Sequence, residues 1–239
     1  MEKEIRFKRQ TETLGIHLSE SQYQKLNDYY ELLIEWNKVM NLTAITEYTE
    51  VYEKHFLDSL AIVKVIDLTK VETVIDIGTG AGFPGIPLKI AFPHLNITLL
   101  DSLNKRINFL NEVKKSLRLE NVETIHGRAE DFAKEKKYRE YFDLGVSRAV
   151  ADLSVLSEYC LPYIKVGGKF IPYKSDKIED EAQQANKAVE ILGGKIKNTE
   201  KLVLPETEIG RSFVIIEKIK LTPNKYPRKA GTALKKPIH

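Results

Sequence analysis

Hydrophobic positions recur with helical spacing in the first third of the chain. Ser19-Glu20-Ser21-Gln22 has the composition of a capping box. Apolar side chains then follow at intervals of about three or four residues, at Leu26, Tyr29, Tyr30, Leu33, Trp36 and Met40. The pattern predicts one amphipathic helix that ends near Asn41 and a second over residues 50–65. We therefore expect an N-terminal helical extension over residues 1–70.

From residue 72 onward the pattern changes to short apolar runs that alternate with amphipathic segments. The apolar runs predict strands from residue 72 and over residues 96–100, 122–126, 142–150, 166–173, 195–204 and 212–219. Helices are predicted over residues 86–92, 105–119, 151–164 and 176–192. This alternation is typical of an α/β fold, a mostly parallel seven-stranded sheet with helices on both faces. The last two strands suggest an antiparallel hairpin, so the sheet domain should cover residues 71–220.

Composition excludes several classes of protein. Charged residues make up 30% of the 239 residues and hydrophobic ones 42%, as in soluble globular proteins. Neither a membrane span of roughly 18 apolar residues nor a signal peptide is visible, so we expect a cytoplasmic monomer without a membrane partner. The single cysteine, Cys160, excludes an intrachain disulfide and a cysteine-rich metal site. We expect no metal.

The net charge of +3 is small, but its distribution is uneven. Residues 219–239 contain six Lys or Arg residues and no acid. Basic segments of this kind can neutralise RNA phosphates. The candidate RNA-binding residues of this tail, residues 221–239, are Lys225, Arg228, Lys229, Lys235 and Lys236. A solvated, poorly ordered tail is an equally open interpretation.

The sequence Asp76-Ile77-Gly78-Thr79-Gly80-Ala81-Gly82-Phe83-Pro84-Gly85 breaks an apolar strand into a glycine-rich turn. Glycines allow positive φ and close approach of a ligand to backbone N–H groups. The dinucleotide fingerprint needs glycine at the sixth position from Gly78, where this chain has Phe83, which argues against an NAD-dependent oxidoreductase. The Asp76 carboxylate would repel a pyrophosphate and attract a positively charged amine. The pattern resembles motif I of the S-adenosylmethionine-dependent methyltransferases, with Gly78, Gly80 and Gly82 at the methionine end.

Further candidates follow the next strands, whose carboxyl ends border ligands in open α/β sheets. Asp101, 19 residues beyond Gly82, could accept the ribose hydroxyls or merely cap a helix. Ala129 and Glu130 are placed to read the adenine edge. Arg148 could clamp a phosphate or carboxylate, or form a surface ion pair. On the second helix, His55 and Asp58 lie one turn apart, and without a third ligand a hydrogen-bonding role is favoured over metal.

The predicted site lacks certain residue types, and this narrows the choice of atom that accepts the methyl group. Methylation of a pyrimidine carbon needs a thiolate, and Cys160 lies mid-helix, far along the chain from every strand-end loop. Amine methylation typically uses an Asp/Asn-Pro-Pro-aromatic loop, whereas residues 147–150 read Ser-Arg-Ala-Val. A ring nitrogen such as guanine N7 has a free lone pair and needs no general base. Arg148 would then act catalytically by positioning.

Several motifs together resemble the bacterial glucose-inhibited division protein B family. They are residues 41–45, 55–59, 76–87, 127–130, 147–149 and 228–231, so the resemblance covers nearly the whole chain. It implies a Rossmann-like class I methyltransferase that uses S-adenosylmethionine to methylate guanine N7 in 16S ribosomal RNA, free or in the small ribosomal subunit. It further implies that Gly78, Phe83, Ala129, Glu130 and Arg148 contact the cofactor or border its pocket. Many members carry proline where this tail has Ala233.

Two alternatives stay open beside that resemblance. One is a methyltransferase that acts on a protein or a small molecule, with a tail that serves only solubility. The other is a non-catalytic RNA-binding module on the same fold, against which the intact glycine turn and Asp101 argue.

Overall fold

A computed structural model describes residues 2–148, 151–175 and 178–238. The N-terminal part consists of helices only. They are α1 (Glu2–Leu14), α2 (Glu20–Met40), α3 (Tyr48–Val51), a π-helix (Tyr52–Leu57), α4 (Asp58–Leu60) and two 3-10 helices (Ala61–Lys64 and Leu68–Lys70). No helix among the described residues is long and apolar enough to cross a membrane.

The predicted capping box starts α2 as expected. The N–H of Ser19 donates to Oε1 of Gln22 at 2.8 Å, and the N–H of Gln22 donates back to Oγ of Ser19 at 3.3 Å. The helix ends at Asn41, whose φ of 49° lies in the left-handed region. The second predicted helix is interrupted, because it changes from α to π to 3-10 geometry between residues 48 and 64. Helical spacing alone does not distinguish these geometries.

One seven-stranded sheet forms the centre of the molecule. Its strands are β1 (Thr73–Ile77), β2 (Asn96–Asp101), β3 (Val122–His126), β4 (Phe142–Arg148), β5 (Ile164–Lys174), β6 (Gly194–Val203) and β7 (Gly210–Lys218). The spatial order is β3-β2-β1-β4-β5-β7-β6, with β7 antiparallel to both of its neighbours. This confirms the predicted sheet and its terminal antiparallel hairpin.

The helices that follow the strands are α5 (Gly85–Ala91), α6 (Asn104–Ser116), α7 (Ala129–Phe132), α8 (Leu153–Cys160), α9 (Glu179–Ile191) and α10 (Thr232–Lys235). The helix predicted over residues 151–164 is too long. A 3-10 turn, Leu161–Tyr163, follows α8, and Ile164 already belongs to β5. Asp176 and Lys177, the predicted start of the next helix, lie outside the described residues, as do Ala149 and Val150 after β4.

Two apolar cores lie on the two faces of the sheet. Neighbouring residues of β1 point in opposite directions, because side chains alternate along a strand. Val74 belongs to a core that also contains Tyr29 and Phe56 of the N-terminal helices, whereas Ile75 belongs to a core with Leu156 of α8. The N-terminal helices therefore pack directly on the sheet, and the division at residues 70 and 220 stays a prediction.

The strand order reverses at β1, which lies between β2 and β4. Connections from the carboxyl ends of β1 and β4 leave toward opposite faces, which opens a crevice at this edge of an α/β sheet. Asp76 is in register with Leu99 of β2 and Val146 of β4. The glycine turn thus begins inside the crevice where ligands bind in such folds.

Candidate active site

The glycine turn after β1 uses the conformations that its glycines permit. Gly78, Gly80 and Gly82 have φ values of 71°, 62° and 102°. A Cβ on Gly82 would lie 2.7 Å from both Oη of Tyr29 and Cγ1 of Ile86, so packing as well as backbone conformation requires glycine there. The turn therefore packs closely against α2.

Asp76 carries the clearest sign of a missing partner. Its side chain is fully buried, and Oδ2 accepts hydrogen bonds from Oγ1 of Thr79 at 2.7 Å and from the N–H of Gly85 at 2.9 Å. Oδ1 is buried without a hydrogen-bond partner among the described residues. Burial raises the pKa of Asp76 to about 6. A buried carboxylate oxygen without a donor is costly, so this position suits a cationic ligand group.

Asp101, at the end of β2, already has three contacts. Oδ2 accepts from the N–H of Gly80 at 2.9 Å and from Nη1 of Arg106 at 3.0 Å, and Oδ1 accepts from the N–H of Leu103 at 2.9 Å. The carboxylate therefore steadies both the glycine turn and the start of α6. Sequence reasoning missed Arg106, because an arginine one turn into a surface helix carries no distinctive signal.

A cavity of about 330 Å³ lies between the ends of β1, β2 and β3. The predicted residues Gly78, Asp101, Ala129 and Glu130 line it, together with Arg106 and Tyr159. A larger cavity, about 440 Å³, opens near Thr73 and Asn96 at the amino ends of the strands, away from all of these residues. We take the smaller one as the candidate cofactor pocket because the strand-end residues converge there.

Phe83 and Arg148 lie in a second group, toward the N-terminal helices. The Phe83 ring stacks on His55 with centroids 4.4 Å apart, and the Arg148 guanidinium lies 5.1 Å from the Phe83 centroid. Nη1 of Arg148 donates to Oδ2 of Asp58 at 2.8 Å. Only 12% of the Arg148 side chain is exposed and Asp58 is fully buried, so a surface ion pair is excluded.

The side chains of His55 and Asp58 form no hydrogen bond with each other, and both instead contact Arg148. Burial, and secondarily the Arg148 charge, lowers the pKa of His55 to about 4. Within the described ranges, no group of three His, Cys, Asp or Glu side chains could hold a metal ion. The contacts with Arg148 show both side chains as hydrogen-bonding partners.

The tail packs on α7 and α8. Arg228 donates from Nη2 to Oε2 of Glu158 at 2.6 Å and from Nε to Oε1 at 3.0 Å, and Glu158 is almost fully buried. The N–H of Gly231 donates to Oε1 of Glu130 at 2.8 Å. Arg228, one of the candidate RNA-binding residues, is therefore engaged by Glu158, and the described part of the tail is docked on the domain and not free in solvent. Four candidate lysines are exposed: Lys225, Lys229, Lys235 and Lys236.

Solved structures share this fold. One is a chain in the complex between the Haloferax volcanii Trm112 methyltransferase activator and the putative methyltransferase, with a TM-score of 0.58, 11% identity and coverage of 79% of this chain and 98% of that one. Another is M. jannaschii TYW2 in complex with AdoMet, with a TM-score of 0.55, 16% identity and coverage of 74% and 80%. The architecture is that of the Rossmann-like S-adenosylmethionine-dependent methyltransferases.

Sequence comparison narrows this class to a family. The model of the GidB family, rRNA small subunit methyltransferase G, matches residues 22–209. The ribosomal RNA small subunit methyltransferase G of Lachnoclostridium phytofermentans is 54% identical over 226 residues, which cover 95% of this chain and 93% of that one. Its counterpart in Alkaliphilus metalliredigens is 52% identical over 238 residues and the full length of both. The chain belongs to this family, which confirms the resemblance.

Proposed function

We propose that the protein transfers a methyl group from S-adenosylmethionine to N7 of a guanine in 16S ribosomal RNA. The observation that carries this proposal is the family match, which spans the glycine turn and every strand end that lines the crevice. A cytoplasmic monomer is the form in which we expect it to work, since ribosomal RNA is found there.

The residues of the crevice fit the cofactor. Asp76 would use its unpaired Oδ1 toward the α-amino group, and Asp101 would accept the ribose hydroxyls in competition with Arg106. Ala129 and Glu130 would border the adenine, next to Tyr159. When bound, S-adenosylmethionine supplies a methyl group on a positively charged sulfur, which a lone pair can accept directly.

The chain's own residues favour a ring nitrogen as acceptor. Cys160, the last residue of α8, is fully buried, and burial raises the pKa of its thiol well above the usual value, so no thiolate is available for attack on a carbon. Guanine N7 needs no proton removed, and the remaining task is orientation and charge. Arg148, held at the end of β4, places a fixed positive charge 5.1 Å from the ring centroid of Phe83 in the glycine turn.

The exposed lysines of the tail support an RNA substrate. The tail is anchored beside the candidate cofactor pocket through Arg228 and Gly231. Its exposed lysines lie near these anchors in the sequence: Lys225, Lys229, Lys235 and Lys236. Their positive charges can contact phosphates without selecting bases. We propose that they bind the RNA backbone near the target guanine.

The proposal is tested by mass mapping of modified nucleotides in 16S ribosomal RNA from a deletion strain and from the same strain complemented with this chain. We expect one N7-methylated guanine to disappear on deletion and to return on complementation. A Cys160→Ser variant should restore it fully, because the thiol takes no part. A methyl group on a carbon or an exocyclic amine, or an unchanged RNA, would contradict the proposal.

A further inference from the structure

Two segments that carry the family resemblance, residues 41–45 and 55–59, have no role in the cofactor and RNA contacts described above. Residues 55–59 contact Arg148 directly, and residues 41–45 are linked to it through Thr43 and His55. Asp58 is fully buried, and its Oδ2 accepts from Nη1 of Arg148 and from Nη2 of Arg211, each at 2.8 Å. Its Oδ1 accepts from Nε of Arg211 at 2.5 Å. One carboxylate thus holds two guanidinium groups.

We propose that Asp58 and Arg211 are positioning residues that hold the Arg148 guanidinium in place for methyl transfer, with His55 as its second support. The inference rests on the proposed function, because it takes Arg148 to border the reacting atoms. It adds residues from α4 and β7 to the site members that lie at or after the carboxyl ends of β1 to β4.

The π-helix explains how one short segment contacts Arg148 twice. The N–H of Asp58 donates to the carbonyl of Glu53, five residues earlier, and to that of His55, three residues earlier, whereas an α-helix would use the residue four earlier. The neighbouring carbonyl, that of Lys54, accepts from Nη1 of Arg148 at 2.9 Å. A backbone oxygen and a carboxylate of the same segment therefore share this nitrogen, which fixes the plane of the guanidinium.

His55 supports the other end of the guanidinium and links it to the loop after α2. Nη2 of Arg148 lies 3.1 Å from Nδ1 of His55, and arginine can only donate, so Nδ1 must be the unprotonated nitrogen. The proton is then on Nε2, which donates to Oγ1 of Thr43 at 3.0 Å. The contact of Nδ1 with the Lys54 carbonyl is consequently not a hydrogen bond. A neutral imidazole is required.

Arg211 links Asp58 to the central sheet. Nη1 of Arg211 donates to the carbonyl of Lys174 on β5 at 3.1 Å, so the carboxylate is tied to the sheet and not only to the helices. The two guanidinium groups outnumber the one carboxylate that holds them, and the charge of Arg148 also acts on the Asp76 carboxylate at the glycine turn. Catalytic groups tolerate little displacement, since about 1 Å can cost about a hundredfold in rate.

The first test observes Arg148 directly, in the full-length protein and without activity. Nitrogen NMR of the arginine side chains should show hindered rotation of the Arg148 guanidinium in the wild type, and free rotation in Asp58→Asn. Asp143→Asn is the matched control, because Asp143 pairs with Lys165 and accepts from the N–H of Thr73 at the opposite end of β4. Hindered rotation that persists in a folded Asp58→Asn protein would overturn the inference.

The second test is a double-mutant cycle on kcat with small-subunit RNA. Asp58→Asn should lower kcat at least tenfold in the wild-type background and less than twofold in an Arg148→Ala background, since both changes remove the same placement. If Asp58→Asn does not fold, Arg211→Lys takes its place, because it keeps the charge and loses the two-pronged contact. Equal losses in both backgrounds would overturn the inference. A wild type that leaves the RNA unmethylated would instead refute the proposed function.

Discussion

At the scale of single residues, Asp76 is the part of the glycine turn whose hydrogen bonding is incomplete. Its Oδ2 organises the turn through Thr79 and Gly85, whereas its buried Oδ1 has no partner in the part of the chain that the structure describes. The protein thus bears the cost of a half-satisfied carboxylate at one of the most buried points of the crevice. Binding sites commonly retain such unfavourable groups. A ligand that pairs with the group removes the cost of its burial, and this gain strengthens ligand binding.

We expect Asp76→Asn to weaken S-adenosylmethionine binding by about 1.5–3 kcal/mol, the scale of a hydrogen bond to a charged group. Stability in the absence of ligand should stay the same or rise, because a buried charge is removed. Calorimetry with S-adenosylmethionine, alongside thermal unfolding, measures both quantities. NAD serves as the negative control for the wild type. Unchanged affinity would mean that Asp76 only shapes the turn.

Asp76 and His55 should respond to acid in opposite ways. Burial raises the pKa of Asp76 from 3.8 to about 6, so the folded state binds more protons in this window and Asp76 stabilises the fold as pH falls. Burial lowers the pKa of His55 from 6.5 to about 4, so the unfolded state binds more protons and stability falls with pH.

From pH 6.5 to about 4.5, Asp76→Asn should therefore lose more stability than the wild type, and His55→Gln should lose less. Each difference should be on the order of 2 kcal/mol, since one pKa unit corresponds to about 1.4 kcal/mol. Urea denaturation at the two pH values measures it. Deviations of the same sign in both variants would refute the assignment of these shifts.

At the scale of elements, the tail behaves as a docked segment of the fold. Glu158 is almost fully buried in α8, and Arg228 satisfies both of its oxygens. Breaking a buried ion pair from one side leaves an uncompensated charge. We expect Arg228→Gln to lower the free energy of unfolding by about 3 kcal/mol, whereas Lys229→Gln, at the exposed neighbouring position, should change it by less than about 0.5 kcal/mol. If guanidinium denaturation shows the same change in unfolding free energy for both variants, the Arg228–Glu158 ion pair contributes nothing to docking of the tail.

The elements differ in how far the sequence could predict them. The strands and the glycine turn depend on local patterns, so β1 to β7 and Asp76, Gly78 and Asp101 were within reach of the sequence. The contacts of Arg148 with Asp58, and of Arg228 with Glu158, join residues 90 and 70 positions apart in the chain. Periodicity carries no information about which charged side chains meet across a fold. The π-helix was missed because its apolar spacing resembles that of an α-helix.

At the scale of the whole molecule, the residues that anchor the tail differ from the lysines that we propose bind RNA. Arg228, Gly231 and the buried Ala233 fasten it to α7 and α8, whereas its lysines stay in solvent. The backbone of the tail is therefore held beside the candidate cofactor pocket before any RNA arrives. Lysines on an anchored segment lose less conformational freedom on binding than lysines on a free chain, which favours them as phosphate ligands.

Replacing Lys229 and Lys235 by glutamine should weaken RNA binding and flatten its salt dependence, by about 0.7–0.9 in logarithmic slope for each phosphate that is no longer neutralised. The matched control replaces Lys187 and Lys195, two exposed lysines of α9 and β6, and removes the same net charge. Only the tail variant should change the slope, because counterions are released where phosphates are bound. Turnover at saturating RNA and affinity for S-adenosylmethionine should be preserved in both, since Arg228 and Gly231 still hold the tail. If both variants flatten the slope equally, the protein attracts RNA through its overall charge. If neither does, the tail is an anchored extension, and the RNA-binding surface must be sought on the N-terminal helices.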